Sequence, residues 1–191
     1  MYGYVKVGSA VPKLRVADCV YNKEEILKLV EAAAAKQVRV LSFPELSVTG
    51  YTCADLFFQA PLLHAAEQAI QEIAEATEAL NIFLLIGAPI AVDNQMFNCA
   101  VALYKGKLLG IVPKTHIPNY SEFYEERWFA SADDLLTEEI TYAGQNVPIG
   151  ADLIFAAADF PALKIGVEIC EDLWVPIPPS SYLSLYGATL L

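Results

Sequence analysis

At 191 residues the chain is long enough for one domain with a sizeable core and too short for two of ordinary size. Hydrophobic residues make up 55% and charged residues 18%, which excludes a disordered chain and favours an α/β fold with much of its backbone buried on both sides. The formal charge of −11, with no local Lys or Arg cluster to offset it, argues against nucleic acid phosphates and anionic membrane surfaces as partners.

Residues 2–10 read as a first strand, carrying the β-forming Tyr4, Val5 and Val7. Asn22 stands three residues before Glu25, the spacing of a helix N-cap with its acidic partner, so a helix is expected over 23–36, burying Ile26, Leu27, Val30, Ala33 and Ala34. A short apolar run over 38–43 reads as a buried strand that Pro44 ends. Glu45 follows at once, where α/β proteins keep their chemistry, at the carboxyl end of a strand. A lone loop glutamate is ordinarily solvated, yet Phe43, Pro44, Leu46 and Val48 offer Glu45 little water, and a carboxylate so flanked suits a general base.

Helical spacing of Leu63, Ala66, Ile70, Ile73 and Ala74 predicts a second helix over 62–80, and a buried strand returns over 82–90. A hairpin follows, with strands over 97–104 and 107–112 around Lys105-Gly106, so the connections change from helix-crossed to antiparallel. Lys114 stands between the end of that hairpin and a Pro-rich loop, and by itself reads as either an idle surface lysine or a cation held at the rim of the sheet. An aromatic and acidic stretch then spans Tyr120, Phe123, Tyr124, Glu125, Glu126, Trp128 and Phe129. Residues 131–150 read as a loop with one short strand near Thr141, and another strand is expected over 153–156.

Leu163, Ile165, Val167 and Ile169 alternate with Lys164, Gly166 and Glu168, a period of two that predicts a strand with one wholly apolar face. Cys170 comes at its end, before Glu171-Asp172 and the Pro176-Ile177-Pro178-Pro179 run. Two readings stand for it: a small buried hydrophobe, or a nucleophile. Glu168, Glu171 and Asp172 disfavour the thiolate, so a nucleophilic Cys170 needs a cation and a base from elsewhere. One or two helical turns are expected over 180–186, and residues 187–191 look like the start of another buried strand.

Cys19, Cys53, Cys99 and Cys170 are too far apart for a Cys-x-x-Cys site, and only His64 and His116 can complement them, so no metal site is expected. The N-terminus lacks a basic start followed by an apolar core, and no apolar run reaches spanning length; a cytoplasmic protein with reduced thiols is the expectation.

Three segments, FPELSVTGY, PKTHIPNYSEFYEERWF and GVEICEDLW, together resemble the nitrilase superfamily of carbon-nitrogen hydrolases, and the likeness spans essentially the whole chain. Within it the pattern around Tyr120 and CEDLW looks most like the branch formed by the N-terminal glutaminase domain of glutamine-dependent NAD synthetase. The resemblance implies a four-layer α-β-β-α sandwich, here C-terminally incomplete over 1–191, with the ATP-dependent synthetase domain, and the ATP and magnesium it uses, absent. It implies catalytic roles for Glu45 as general base, Lys114 as oxyanion partner and Cys170 as nucleophile. Tyr120, Phe123 and Glu125 would line a glutamine pocket or position the substrate or the lysine, and the backbone N–H of Glu171 would meet the oxyanion. The domain itself needs no cofactor on this reading; its partners would be glutamine, a synthetase domain fused downstream, and further copies of itself. A stand-alone amidase acting on another small amide and an inert, associating module are the competing expectations.

Overall fold

The computed structural model describes residues 3–191. Its central sheet has five strands in the order β1-β2-β3-β4-β5, formed by Val7–Ser9, Val40–Ser42, Phe83–Val92, Gln95–Tyr104 and Lys107–Pro113. The first three run parallel and the last two antiparallel. Helix α1 (Cys19–Ala35) joins β1 to β2, and α2 (Ala60–Ala76) joins β2 to β3. The expected change from helical crossover to hairpin is therefore present, and it begins at the β3–β4 connection, one connection before the hairpin expected around Lys105-Gly106. Asp93 and Asn94, both at positive φ, turn β3 directly into β4.

Strand alternation builds two cores. Leu84 and Ile86 of β3, Val101 and Leu103 of β4 and Ile111 of β5 pack with Ile26 and Val30 of α1 and Ile70 and Ile73 of α2. Their alternates Phe83, Ala100, Ala102 and Val112 meet Phe155, Ile165, Val167 and Ile169 on the opposite face. There a second, smaller sheet pairs β8 (Phe155–Ala156) with β9 (Lys164–Ile165), and Leu190 bridges to Ile165 alongside. Helix α3 (Pro179–Leu185) lies beyond it: a methyl on Gly166 would come within 3.1 Å of Leu183. The layers run helix, sheet, sheet, helix, an α-β-β-α sandwich. Small residues set the sheet spacing, since a methyl on Gly110 would sit 2.8 Å from the Phe155 ring, which packs on Phe83 at 5.4 Å between centroids.

Several local expectations are corrected. Helix α1 starts four residues before Lys23, and Asp18 caps it by accepting from Tyr21 N–H at 3.1 Å. Asn22 is fully buried and serves tertiary structure instead. Its Nδ2 donates to the carbonyls of Arg15 (2.8 Å) and Val48 (2.9 Å), and its Oδ1 accepts from Arg15 N–H. The single strand near Thr141 is a hairpin of β6 (Glu139–Tyr142) and β7 (Gln145–Pro148), turned by Ala143 and Gly144 at positive φ. The expected first strand shrinks to three residues; Tyr2 lies outside the described residues. The strand leading to Cys170 pairs only at β9, and residues 166–169 carry its alternation without a partner strand.

Candidate active site

Glu45 sits on a tight turn straight after β2. Pro44 O accepts from Ser47 N–H, Val48 N–H reaches across to Gly87 O at 3.1 Å, and Leu46 is fully buried at a φ of 52°. The turn lies flat on β3 because residue 87 has no side chain. A methyl there would stand 2.3 Å from Leu46 N and 2.6 Å from Pro44 O, distances that backbone atoms cannot accommodate without moving. Gly87 therefore sets how deep the Glu45 carboxylate reaches.

Lys114 follows β5, on the sheet face that carries Val112 and looks toward the second core. It has no exposed surface. Its Nζ donates to Glu45 Oε1 at 2.7 Å and to both oxygens of Glu125, at 2.9 and 3.1 Å. Burial alone would pull this ammonium's pKa down, but the two carboxylates outweigh it and the net direction is upward. Neighbours fix the carboxylates in turn: Asn98 Nδ2 donates to Glu45 Oε1 at 2.6 Å, and Tyr51 OH donates to Glu125 Oε1 at 2.7 Å. Lys114 is thus a buried ammonium that its two carboxylate partners favour in the charged form and hold by three hydrogen bonds.

Cys170 opens a short 3-10 helix, Cys170–Trp174, and holds a left-handed φ of 49°. Non-glycine residues occupy that region at a cost of about 1–3 kcal/mol, and only where their surroundings impose it. The residue is exposed, and with Glu45 it lines a cavity of about 320 Å³ floored by Gly87, Cys99 and Ala100. The thiol's pKa is raised, first by burial of its cavity side, then by Glu45, Glu125 and Glu171; Lys114 pulls the other way and is outweighed. The cation brought by Lys114 is therefore present but leaves the resting sulfur protonated. The acidic neighbours anticipated along the chain act differently from expectation. Asp172 is spent on backbone N–H groups and Glu168 on Ser180 N–H, so Glu45 and Glu125, remote in sequence, act on the thiol more than these two do.

Glu45, Lys114 and Cys170 are thus brought together, whereas the four remaining candidates divide. Glu125 is buried behind the lysine, with both oxygens engaged. Tyr120 is exposed and donates through its OH to Glu171 Oε2 at 2.8 Å, and Phe123 packs edge-on to Tyr120 at 6.0 Å. Tyr120 and Glu171 border a separate, wider groove of about 970 Å³ that also carries Phe57, Trp128 and Arg127. Sequence reasoning missed Tyr51, Asn98 and Gly87. The last two carry a usable signal: a polar residue and a glycine inside otherwise apolar strands ask for a reason. Among the described residues no cluster of three or more His, Cys, Asp or Glu side chains is placed to hold a metal ion, and no helix is long and apolar enough to cross a membrane.

Residues 6–191 match the carbon-nitrogen hydrolase family. The chain belongs to that family. Among carbon-nitrogen hydrolase relatives, the glutamine-dependent NAD(+) synthetase of Mycobacterium leprae is 39% identical over 189 residues, which cover 99% of this chain and 28% of that protein. The glutamine-dependent NAD(+) synthetase from Rattus norvegicus is 31% identical over 197 residues, covering 94% of this chain and 27% of the relative. In three dimensions the glutamine-dependent NAD(+) synthetase of Cytophaga hutchinsonii superposes with a TM-score of 0.79 at 29% identity, over 87% of this chain and 28% of that one. An amidase from Nesterenkonia shares the fold, with a TM-score of 0.68 at 16% identity over 94% of this chain and 63% of that one. The chain spans little more than a quarter of the synthetases it matches.

Proposed function

We propose that this chain is the glutamine amidohydrolase part of a glutamine-dependent NAD synthetase, with Cys170 as nucleophile, Glu45 as general base and Lys114 as oxyanion partner. One observation carries the reading: a fully buried ammonium is locked against Glu45, the same carboxylate that shares a cavity with the only exposed cysteine among the described residues. Because the resting sulfur is protonated, Glu45 takes the thiol proton as Cys170 attacks the side-chain amide carbon of glutamine. The Lys114 ammonium and the backbone N–H of Glu171 then meet the oxyanion. Collapse breaks the carbon–nitrogen bond, the proton held by Glu45 goes to the leaving ammonia, and a glutamyl thioester remains. Water, deprotonated by Glu45, cleaves the thioester to glutamate and returns the thiol.

In this reading exposed Tyr120, bonded to half-buried Glu171 at the edge of the neighbouring groove, would contact the substrate's amino-acid end; Phe123 would support Tyr120, and Glu125 would position Lys114. The ammonia would serve a synthetase domain fused downstream, where ATP and magnesium drive amidation of nicotinic acid adenine dinucleotide. The relatives' greater length supports that arrangement. The reading further includes a cytoplasmic location and a homo-oligomer; exposed Trp174, Ile177, Leu185 and Tyr186 support self-association, which sedimentation measures.

Ammonia and glutamate release from glutamine, measured beside simple aliphatic amides, tests the assignment. Glutamine turnover that is lost in Cys170→Ala, with a mass gain at Cys170 from a glutamine-like diazoketone, is the expected result. Cleavage of an aliphatic amide without glutamine turnover would replace this reading with a stand-alone amidase. No turnover and no mass gain would leave an inert module.

A further inference from the structure

Asp172 is 2% exposed, and no side-chain cation bonds its carboxylate. All three of its donors are backbone N–H groups. Oδ2 accepts from Ile169, the residue before the nucleophile, at 3.0 Å. Oδ1 accepts from Thr115 at 3.2 Å and from His116 at 2.7 Å, the two residues directly after Lys114. A carboxylate serving only as a cap for the 3-10 turn would need the Ile169 bond alone. Here two of three bonds leave the turn for a loop 56 and 57 positions away. Burying an anion is costly unless its bonds do something the fold needs.

What those bonds join is specific. The Lys114 backbone is otherwise held by β4, its N–H donating to Asn98 O at 2.8 Å, and by the 3-10 turn at Ala132, whose N–H donates to the Lys114 carbonyl at 2.9 Å. On the far side of Lys114, Ser131 Oγ donates to Thr115 O at 2.6 Å. Asp172 is the described side chain that links this pinned loop to the backbone entering Cys170. We propose that Asp172 is a positioning residue. By binding both backbones at once it holds Cys170 in its left-handed conformation and fixes the sulfur's place relative to Glu45 and Lys114. This rests on the assignment of Cys170 as nucleophile.

Chemistry explains the residue type. A carboxylate presents acceptors on both oxygens, so one rigid plane accepts three N–H groups from two directions. Asparagine has one acceptor oxygen and would turn its NH₂ toward an N–H. Asp172→Asn therefore loosens one backbone from the other while keeping size and shape.

The test combines steady-state glutamine hydrolysis with the pH profile of Cys170 alkylation by iodoacetamide, in the unsubstituted chain, Glu45→Gln, Asp172→Asn and the double variant. Alkylation reads the sulfur's electrostatic coupling to Glu45 whatever the natural substrate is, so a failure of the glutaminase reading and a failure of this one are distinguishable. With Asp172→Asn, kcat is expected to fall on the order of 100-fold with KM for glutamine within about threefold, the size of loss that a misplaced reacting group produces. Glu45→Gln, which lowers the alkylation midpoint in the unsubstituted chain, should leave it unmoved in the Asp172→Asn background. An undiminished Glu45 effect there, or a kcat within threefold of the parent, overturns the proposal. Should Asp172→Asn not fold, His116→Pro removes the 2.7 Å donor while leaving the carboxylate in place, and the same kcat loss and uncoupling are expected of it. Their absence overturns the proposal equally.

Discussion

At one corner of the site Lys114 has no exposed surface and directs every bond of its ammonium to Glu45 and Glu125, which Asn98 and Tyr51 hold in turn. At the other, Cys170 is exposed on a five-residue 3-10 helix in a left-handed conformation, its thiol pushed toward the protonated form. The contrast follows from what each must do. A charge that stabilises an oxyanion acts most strongly when desolvated and already in place, because nothing has to reorient during the reaction. A nucleophile has to be reached by its substrate and to part with a proton, so it sits where the fold is open and beside a base.

The largest break in that contrast comes from Lys114→Met. Buried Glu125 and part-buried Glu45 are then left without a cation, and a destabilisation of about 3–5 kcal/mol is expected in urea unfolding, together with loss of glutamine turnover. Gly87→Ala attacks the same corner from beneath. Its methyl pushes the Glu45 turn off β3, lowering kcat about 100-fold and costing about 1–3 kcal/mol of stability. Both results would show that the rigid corner carries stability and catalysis together.

The open corner should separate those two properties. Alkylation of Cys170 is expected to rise with pH to a midpoint above that of a free cysteine assayed alongside, since burial and Glu45 hold the proton on the sulfur; a midpoint at or below the free thiol's would contradict it. Smallest of all, Cys170→Gly relieves the left-handed backbone and should stabilise the fold by about 1 kcal/mol in thermal unfolding while abolishing hydrolysis. A loss of stability there would mean that the thiol, like the lysine, is part of the framework.

Much of this architecture was legible along the chain. Helical spacing located α1 and α2 within a few residues, and Lys105-Gly106 gave away the β4-β5 turn, because burial of one face imposes its period on the sequence. The β3-β4 turn escaped notice because Asp93-Asn94 interrupts what reads as two separate apolar runs. Asn22 misled for a related reason: an amide near a helix start satisfies the capping pattern whether it bonds its own helix or, as here, Arg15 and Val48.

The sequence by itself determined the alternation that makes two cores, the helical crossovers, and the three segments that carry a glutamate, a lysine and a cysteine at the ends of strands. Only the tertiary structure decided that Lys114 is buried against both Glu45 and Glu125, that Gly87 seats the Glu45 turn, and that Asp172 faces the lysine loop instead of the thiol. Period and propensity report each residue's own backbone and burial. Hydrogen bonds across 53 to 69 positions, such as those of Asn98 and Lys114 to Glu45, depend on how separate strands are stacked, which no local pattern encodes.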